Sequence, residues 1–238
     1  MVEPSARFEE IRIPLPDPVH GLREVSAVLG IPRWWPTGSR VSVVLAHGSP
    51  GSHNDPLIEY LHRDLTERRY LCLRFNFPFA EAKKRRPDPP QTLRSTFRAA
   101  VDALSRDPTA APGHLFLAGK GLGAQTATEL SVSRVRAEGL ILMGYPLHPQ
   151  GKPERLRADQ LYRVVAPMLF MQGTRDRNCE IDTLRRTLAR IGAPTALHLT
   201  EAADHHFKVL KKSGRSEEEI HQEVVGVTDA WIEKILGS

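Results

Sequence analysis

From Val41 onward the chain alternates short, uninterrupted apolar runs with longer stretches of helical repeat. Val41–Ala46, Tyr70–Phe75, Leu115–Ala118, Leu140–Met143 and Pro167–Met171 are almost wholly apolar, the pattern of strands covered on both faces in a parallel sheet. Ala196–Leu199 is the last strand-like run. Helix starts and stops lie between them. Asn54-Asp55-Pro56 and Asp88-Pro89 each place a capping side chain before a proline suited to a first helical turn. The next helix runs from Leu122 towards Arg134, and another carries Ile181, Leu184, Leu188 and Ile191 on one face with Gly192 as its stop. The last opens on Ser216 and Glu219, a capping box, and lines Ile220, Val224, Val227, Trp231 and Ile235 along one stripe.

Ahead of this region, Arg7–Pro14 and Arg23–Leu29 read as extended segments joined by Pro-Asp-Pro-Val-His-Gly, which predicts an antiparallel hairpin. Ile31–Arg40, with Trp34, Trp35 and Pro36, reads as a loop packed down as a flap. Strands alternating with helices predict an α/β fold: a mostly parallel sheet with helices on both faces and an antiparallel N-terminal edge. One domain over residues 1–238 is the expected organisation, since no insertion is large enough for a cap domain. Tyr145–Tyr162 is the longest irregular connection and follows a strand. In open α/β sheets ligands bind beyond the carboxyl ends of strands, so this loop is expected to wall a pocket.

Composition changes little in this picture. The 238 residues are 40% hydrophobic and 26% charged, as in an ordinary globule with a substantial core. The N-terminus lacks the apolar core of a secretory signal and no stretch approaches a membrane span, so a cytoplasmic protein without a membrane partner is expected. The two cysteines, Cys72 and Cys179, have no metal-like spacing and read as free thiols. The net charge of +5 gathers at Lys83–Arg86 and Lys208–Arg215. These clusters are not interleaved with aromatics in any known module and read as solvated loops, so no nucleic-acid partner is expected.

The chemistry-bearing residues sit in four loops, each after an apolar run. Ala46-His47-Gly48-Ser49 is a His-Gly turn whose following amide, that of Ser49, can serve as an oxyanion donor. Gly119-Lys120-Gly121-Leu122-Gly123 has the layout of a nucleophile elbow, a strand turning sharply into a helix with small residues around the turn. A dinucleotide fingerprint would need further glycine spacing and an acid after the next strand, and the chain has neither. No cofactor or metal is therefore expected. Gly173-Thr174-Arg175-Asp176 offers an acid that caps the following helix or orients a histidine. Ala203-Asp204-His205-His206 offers the base. Elbow, acid and histidine follow one another in the order of a Ser…Asp…His triad. At the serine's place, however, stands Gly121.

With these blocks, and with Leu73–Phe79, Arg86–Pro90 and Gly144-Tyr145-Pro146-Leu147-His148-Pro149, the sequence resembles the α/β-hydrolase superfamily. Within it the chain looks like the dienelactone-hydrolase-like group that includes testis-expressed and histone-acetyltransferase-complex subunit homologues. The likeness runs from about Arg7 to the C-terminus. It implies the α/β-hydrolase fold with about eight strands, Asp176 as triad acid and His205 as base, with His206 the runner-up. It also implies an oxyanion hole from the amides of Ser49 and Leu122, and a pocket drawing on His47, Gly48, Lys120, Tyr145, His148 and His206. The family elbow reads Gly-Lys-Ser-Met-Gly, so the departure falls on the atom that covalent catalysis requires. No neighbour substitutes: Ser49 is in the oxyanion loop, Ser131 is two turns down the helix, and Cys179 is off the elbow.

Three readings follow. The first is a hydrolase-fold protein related to serine ester or acyl hydrolases but inactive or strongly impaired, a pseudoenzyme or a variant with serine removed. The second is a binding or scaffold protein that turns the fold to a protein partner. The third is a weak hydrolase of small esters using water activated by His205.

Overall fold

The computed structural model describes residues 6–34, 40–104, 113–133 and 135–237. It contains one eight-stranded sheet. In chain order the strands are β1 (Arg7–Val19), β2 (Leu22–Ile31), β3 (Val41–Ala46), β4 (Leu71–Phe75), β5 (His114–Lys120), β6 (Gly139–Met143), β7 (Met168–Gly173) and β8 (Thr195–Thr200). Their spatial order is β1-β2-β4-β3-β5-β6-β7-β8. β1 pairs antiparallel with β2 and β2 with β4, and every pairing from β4 to β8 is parallel. Among the described residues no cap domain interrupts the strand–helix alternation.

The continuous apolar runs divide by residue parity. Along β3, Val41, Val43 and Leu45 join one core cluster, and Val44 and Ala46 join the other. Successive strand side chains point to opposite faces, so a strand covered on both sides needs apolar residues at every position. Helices α1 (Pro56–Glu67) and α6 (Glu217–Leu236) cover one face through Leu57, Leu61, Ile220 and Val224. Helices α3 (Pro90–Leu104), α4 (Leu122–Val132) and α5 (Ile181–Leu188) cover the other through Leu93, Phe97, Ala127 and Leu184. A single turn, α2 (Pro78–Glu81), follows β4. Among the described residues no helix is long and apolar enough to cross a membrane.

Two predicted caps form as read. Asp55 accepts the Leu57 and Ile58 N–H groups at the start of α1, and Ser216 and Glu219 close a capping box on α6. Four local expectations are corrected. Asp88 does not cap α3: its carboxylate accepts the Phe79 N–H at 2.7 Å and lies 2.6 Å from the His20 ring. The hairpin does not turn over the whole Pro-Asp-Pro segment. β1 continues to Val19 with a register irregularity after Pro14, and the turn is His20-Gly21, both with positive φ, as a tight two-residue hairpin requires. Helix α5 ends at Leu188, before Gly192, as its last bonds tighten to three-residue turns at Arg190 and Ile191. Trp34 is 59% exposed with the Arg69 guanidinium over its ring, so it is not packed into the core. Trp35 and Pro36 of that loop lie outside the described residues.

Candidate active site

The carboxyl ends of β3, β5, β7 and β8 bring the four loops together. At the end of β5 the chain turns into α4 within one residue. Gly121 is the N-cap, with φ 53° and ψ −113°, a conformation that L side chains adopt only under strain. Its flanking glycines are needed for a different reason. A Cβ on Gly119 would lie 2.3 Å from the Gly123 carbonyl carbon, and one on Gly123 would lie 2.3 Å from the Ala46 carbonyl oxygen. Strand and helix approach until only hydrogen fits between them.

The position a side chain on Gly121 would take faces the histidine. An ideal Cβ there stands 3.3 Å from His205 Nε2 and 3.9 Å from Gly48 Cα. His205 is held from behind, its Nδ1 lying 2.7 Å from Asp176 Oδ2. The Asp176 side chain has no solvent exposure. Its other oxygen accepts the Asn178 N–H at 2.7 Å, and the Gln172 amide donates to Oδ2 at 2.5 Å. A carboxylate so supplied with donors takes the proton on Nδ1 as a further hydrogen bond and leaves Nε2 as the free lone pair. That lone pair points at Gly121.

Around this axis, Leu122 is the first residue of α4, so its N–H has no acceptor within the helix. Gly48 of the turn after β3 lies against Lys120 and Gly121, and Ser49 after it is half-buried. His148 is buried, its Nε2 accepting the Glu180 N–H at 2.9 Å. With Gln150, Pro153 and Thr174 it borders a hollow of about 490 Å³ against Asp176. The Tyr145–Tyr162 connection therefore walls a cavity beside the acid. His206 is exposed, edge-on to His205, and lines a second hollow of about 310 Å³ with Lys120, Pro50 and His221. Burial and the neighbouring His205 hold the His206 imidazole below the usual histidine range.

Of the residues expected in the pocket, His47 and Tyr145 are placed elsewhere, and Lys120 borders the His206 hollow with its charge already paired. His47 is buried against Phe77 and Phe79. Its Nε2 accepts the Phe77 N–H at 3.1 Å and its Nδ1 lies 2.7 Å from the Gly48 carbonyl, so it ties β3 to the segment after β4. Burial lowers its pKa to about 4. Lys120 is buried, its Nζ 2.9 and 2.7 Å from the two Asp55 oxygens, which leaves its charge committed to the start of α1. Tyr145 lies in the core against Phe170, its hydroxyl donating to the Arg157 carbonyl. Gln172 and Asp55 were missed. A glutamine inside an apolar strand run was the available sign for the first; nothing local marked the second beyond its cap. Cys179 is buried beside the acid and its thiol is pushed up by that burial and by Asp176. Among the described residues no group of His, Cys, Asp and Glu could hold a metal ion.

The fold, the elbow and the acid–histidine pair meet a family model described as alpha/beta hydrolase domain, which matches residues 39–233. The chain belongs to the α/β-hydrolase family. Solved α/β hydrolases share its whole architecture. A serine hydrolase homologue from Coxiella burnetii is 20% identical with a TM-score of 0.71, over 91% of this chain and 95% of that one. A dienelactone hydrolase from Anabaena variabilis is 19% identical with a TM-score of 0.70, over 93% and 96%. A protein of unknown function from Agrobacterium tumefaciens is 18% identical with a TM-score of 0.75, over 97% and 98%. At these identities the likeness is one of fold.

Proposed function

We propose that this α/β hydrolase keeps the acyl-recognition apparatus of a serine ester or acyl hydrolase but does not perform covalent turnover. One observation carries the reading: Gly121 sits in elbow geometry with its missing side chain aimed at His205 Nε2, 3.3 Å from where Cβ would be. In this reading Asp176 orients His205, and the amides of Ser49 and Leu122 polarise the acyl carbonyl. The step that fails is the first. A serine hydroxyl would attack the carbonyl carbon while His205 took its proton, and glycine has no oxygen to attack with. In a serine protease, loss of the nucleophile lowers turnover by about a million-fold, with roughly 10³–10⁴ over water left from the oxyanion hole and binding. The structural relatives named as serine and dienelactone hydrolases support ester or lactone carbonyls as the chemistry the site is shaped for.

The test is Gly121→Ser, assayed with short activated acyl esters beside the unaltered chain. The variant is expected to turn over with His205-dependent kinetics and the unaltered chain to stay near background. Equal, His205-dependent hydrolysis by both would overturn the reading and point to water activated by His205 instead.

A further inference from the structure

We infer that Lys84 is a self-acylating lysine, its amine served by His20 and Asp88 and its acyl group taken from acyl phosphates. The relay shares no residue with the loops around Gly121 and stands independently of the reading above.

Asp88, His20 and Lys84 are joined in line. His20 Nε2 lies 2.6 Å from Asp88 Oδ1, and Lys84 Nζ lies 2.8 Å from His20 Nδ1. The other Asp88 oxygen accepts the Phe79 N–H at 2.7 Å, and the Phe79 carbonyl accepts the Lys84 N–H at 2.7 Å. One buried residue, Phe79, therefore fixes both ends of the relay. A carboxylate only accepts, so His20 carries its proton on Nε2 and turns the Nδ1 lone pair to the lysine. The Asp88 side chain is 2% exposed and that of His20 24%, so the acid is shielded while the ring can be reached. His20 has a φ of 55° in the hairpin turn, a place where asparagine or glycine is usual. The turn itself gives no reason for an imidazole.

Lys84 also belongs to the run Lys83-Lys84-Arg85-Arg86, all exposed, which the acyl-site reading leaves unused. Cations adjoining Lys84 on both sides favour a donor whose negative charge sits next to its carbonyl, the layout of an acyl phosphate. The Lys84 ammonium first gives one proton to solvent, and the neutral amine attacks the carbonyl carbon. The new C–N bond leaves a positive nitrogen in the tetrahedral adduct. His20 Nδ1 takes its proton, and Asp88 balances the imidazolium. The C–O bond to the phosphate then breaks, and the departing phosphate takes the proton from His20. The products are an Nε-acyl-lysine, hydrogen phosphate and the proton released at the start.

The experiment incubates the folded full chain with acetyl phosphate and, separately, with p-nitrophenyl acetate, an uncharged donor. Acetylation at each lysine is followed by mapping with a glutamate-specific protease and fragment-ion localisation. Lys83 is the internal control, since it adjoins the same cations but lies outside the relay; Lys234, exposed on α6, calibrates the two donors. With acetyl phosphate, Lys84 is expected to react at least about tenfold faster than Lys83, at the low end for a positioned base. That advantage should vanish in Asp88→Asn and in His20→Asn, a replacement suited to the turn. The Lys84-to-Lys234 ratio should be higher with acetyl phosphate than with the ester. The inference is overturned if Lys84 reacts no faster than Lys83, if folded variants keep the Lys84 advantage, or if the Lys84-to-Lys234 ratio is no higher with acetyl phosphate.

Discussion

The buried pair Lys120–Asp55 offers a test of how the elbow is held. Lys120 is the last residue of β5, directly before Gly121, and Asp55 caps α1, so the pair bolts the elbow to the helix that follows the His47–Ser49 turn. Only 5% of the lysine side chain and 13% of the aspartate are exposed. Removing one member of such a pair strands the other charge, which costs about 3–5 kcal/mol in a fully buried setting. Asp55 keeps two backbone donors and some water, so Lys120→Met is expected to cost about 2–4 kcal/mol. Asp55→Asn retains a capping oxygen and isolates the charge loss; it should cost a similar amount by stranding the ammonium. The double variant removes both charges and should return to within about 1 kcal/mol of the parent, since buried ion pairs and well-packed neutral replacements are often equivalent. Urea titrations with unchanged slopes give these values directly, and the double-mutant cycle isolates the coupling. Single variants that each stay within about 0.5 kcal/mol of the parent, or costs that simply add, would refute the argument.

Other consequences are equally specific. Gly123→Ala must push a Cβ into the Ala46 carbonyl, and because that oxygen is strand backbone and cannot swing aside it should cost about 3 kcal/mol or more, seen as a large fall in urea midpoint; an unchanged midpoint would mean the strand–helix approach is looser than described. His47 and His62 are buried, with folded pKa values lowered to about 4 and about 3. The unfolded chain therefore binds protons first as pH falls below about 6.5, and stability should decline by about 1.4 kcal/mol per pH unit for each histidine until its folded pKa is reached. Urea midpoints from pH 7.5 to 4.5 measure this; His62→Gln should flatten the slope, and a flat parent profile would contradict the burial argument. Cys72 and Cys179 are both buried, and burial pushes the Cys72 thiol up to about 12 and raises that of Cys179 too. Ellman's reagent should reach neither thiol until denaturant is added, and rapid labelling of the folded chain would show that the Cys179 loop opens.

The fold was legible because both-face burial forces every strand position to be apolar, a signal that survives without any knowledge of partners. Strand positions followed from it, with ends displaced by a residue or two where polar termini such as His114 and Lys120 still pair in the sheet. Acid, histidine and elbow were legible from their order after strands. What the sequence could not disclose were side-chain partnerships across the chain. Lys120 looks like a pocket cation until Asp55, 65 residues away, is seen beside it. His47 looks like part of the oxyanion turn, and only the Phe77 amide, 30 residues on, shows it to be a core clamp. Asp88 before prolines reads as a cap, but the Phe79 amide and the His20 ring, 68 residues away, claim its carboxylate. Gln172 escaped because its value lies wholly in the buried Asp176 it serves.

The central claim is that one missing oxygen separates this site from a working acyl transferase to water. Gly121→Ser carries a backbone strain of about 1–3 kcal/mol at its positive φ, which a domain with this core should tolerate. The decisive measurement is intact-mass labelling with a fluorophosphonate, followed by peptide mapping. The account predicts one adduct on residue 121 of the serine variant, lost on adding His205→Gln, and no adduct on the unaltered chain. A folded serine variant that stays unlabelled, or an adduct of equal extent on the unaltered chain, would contradict it.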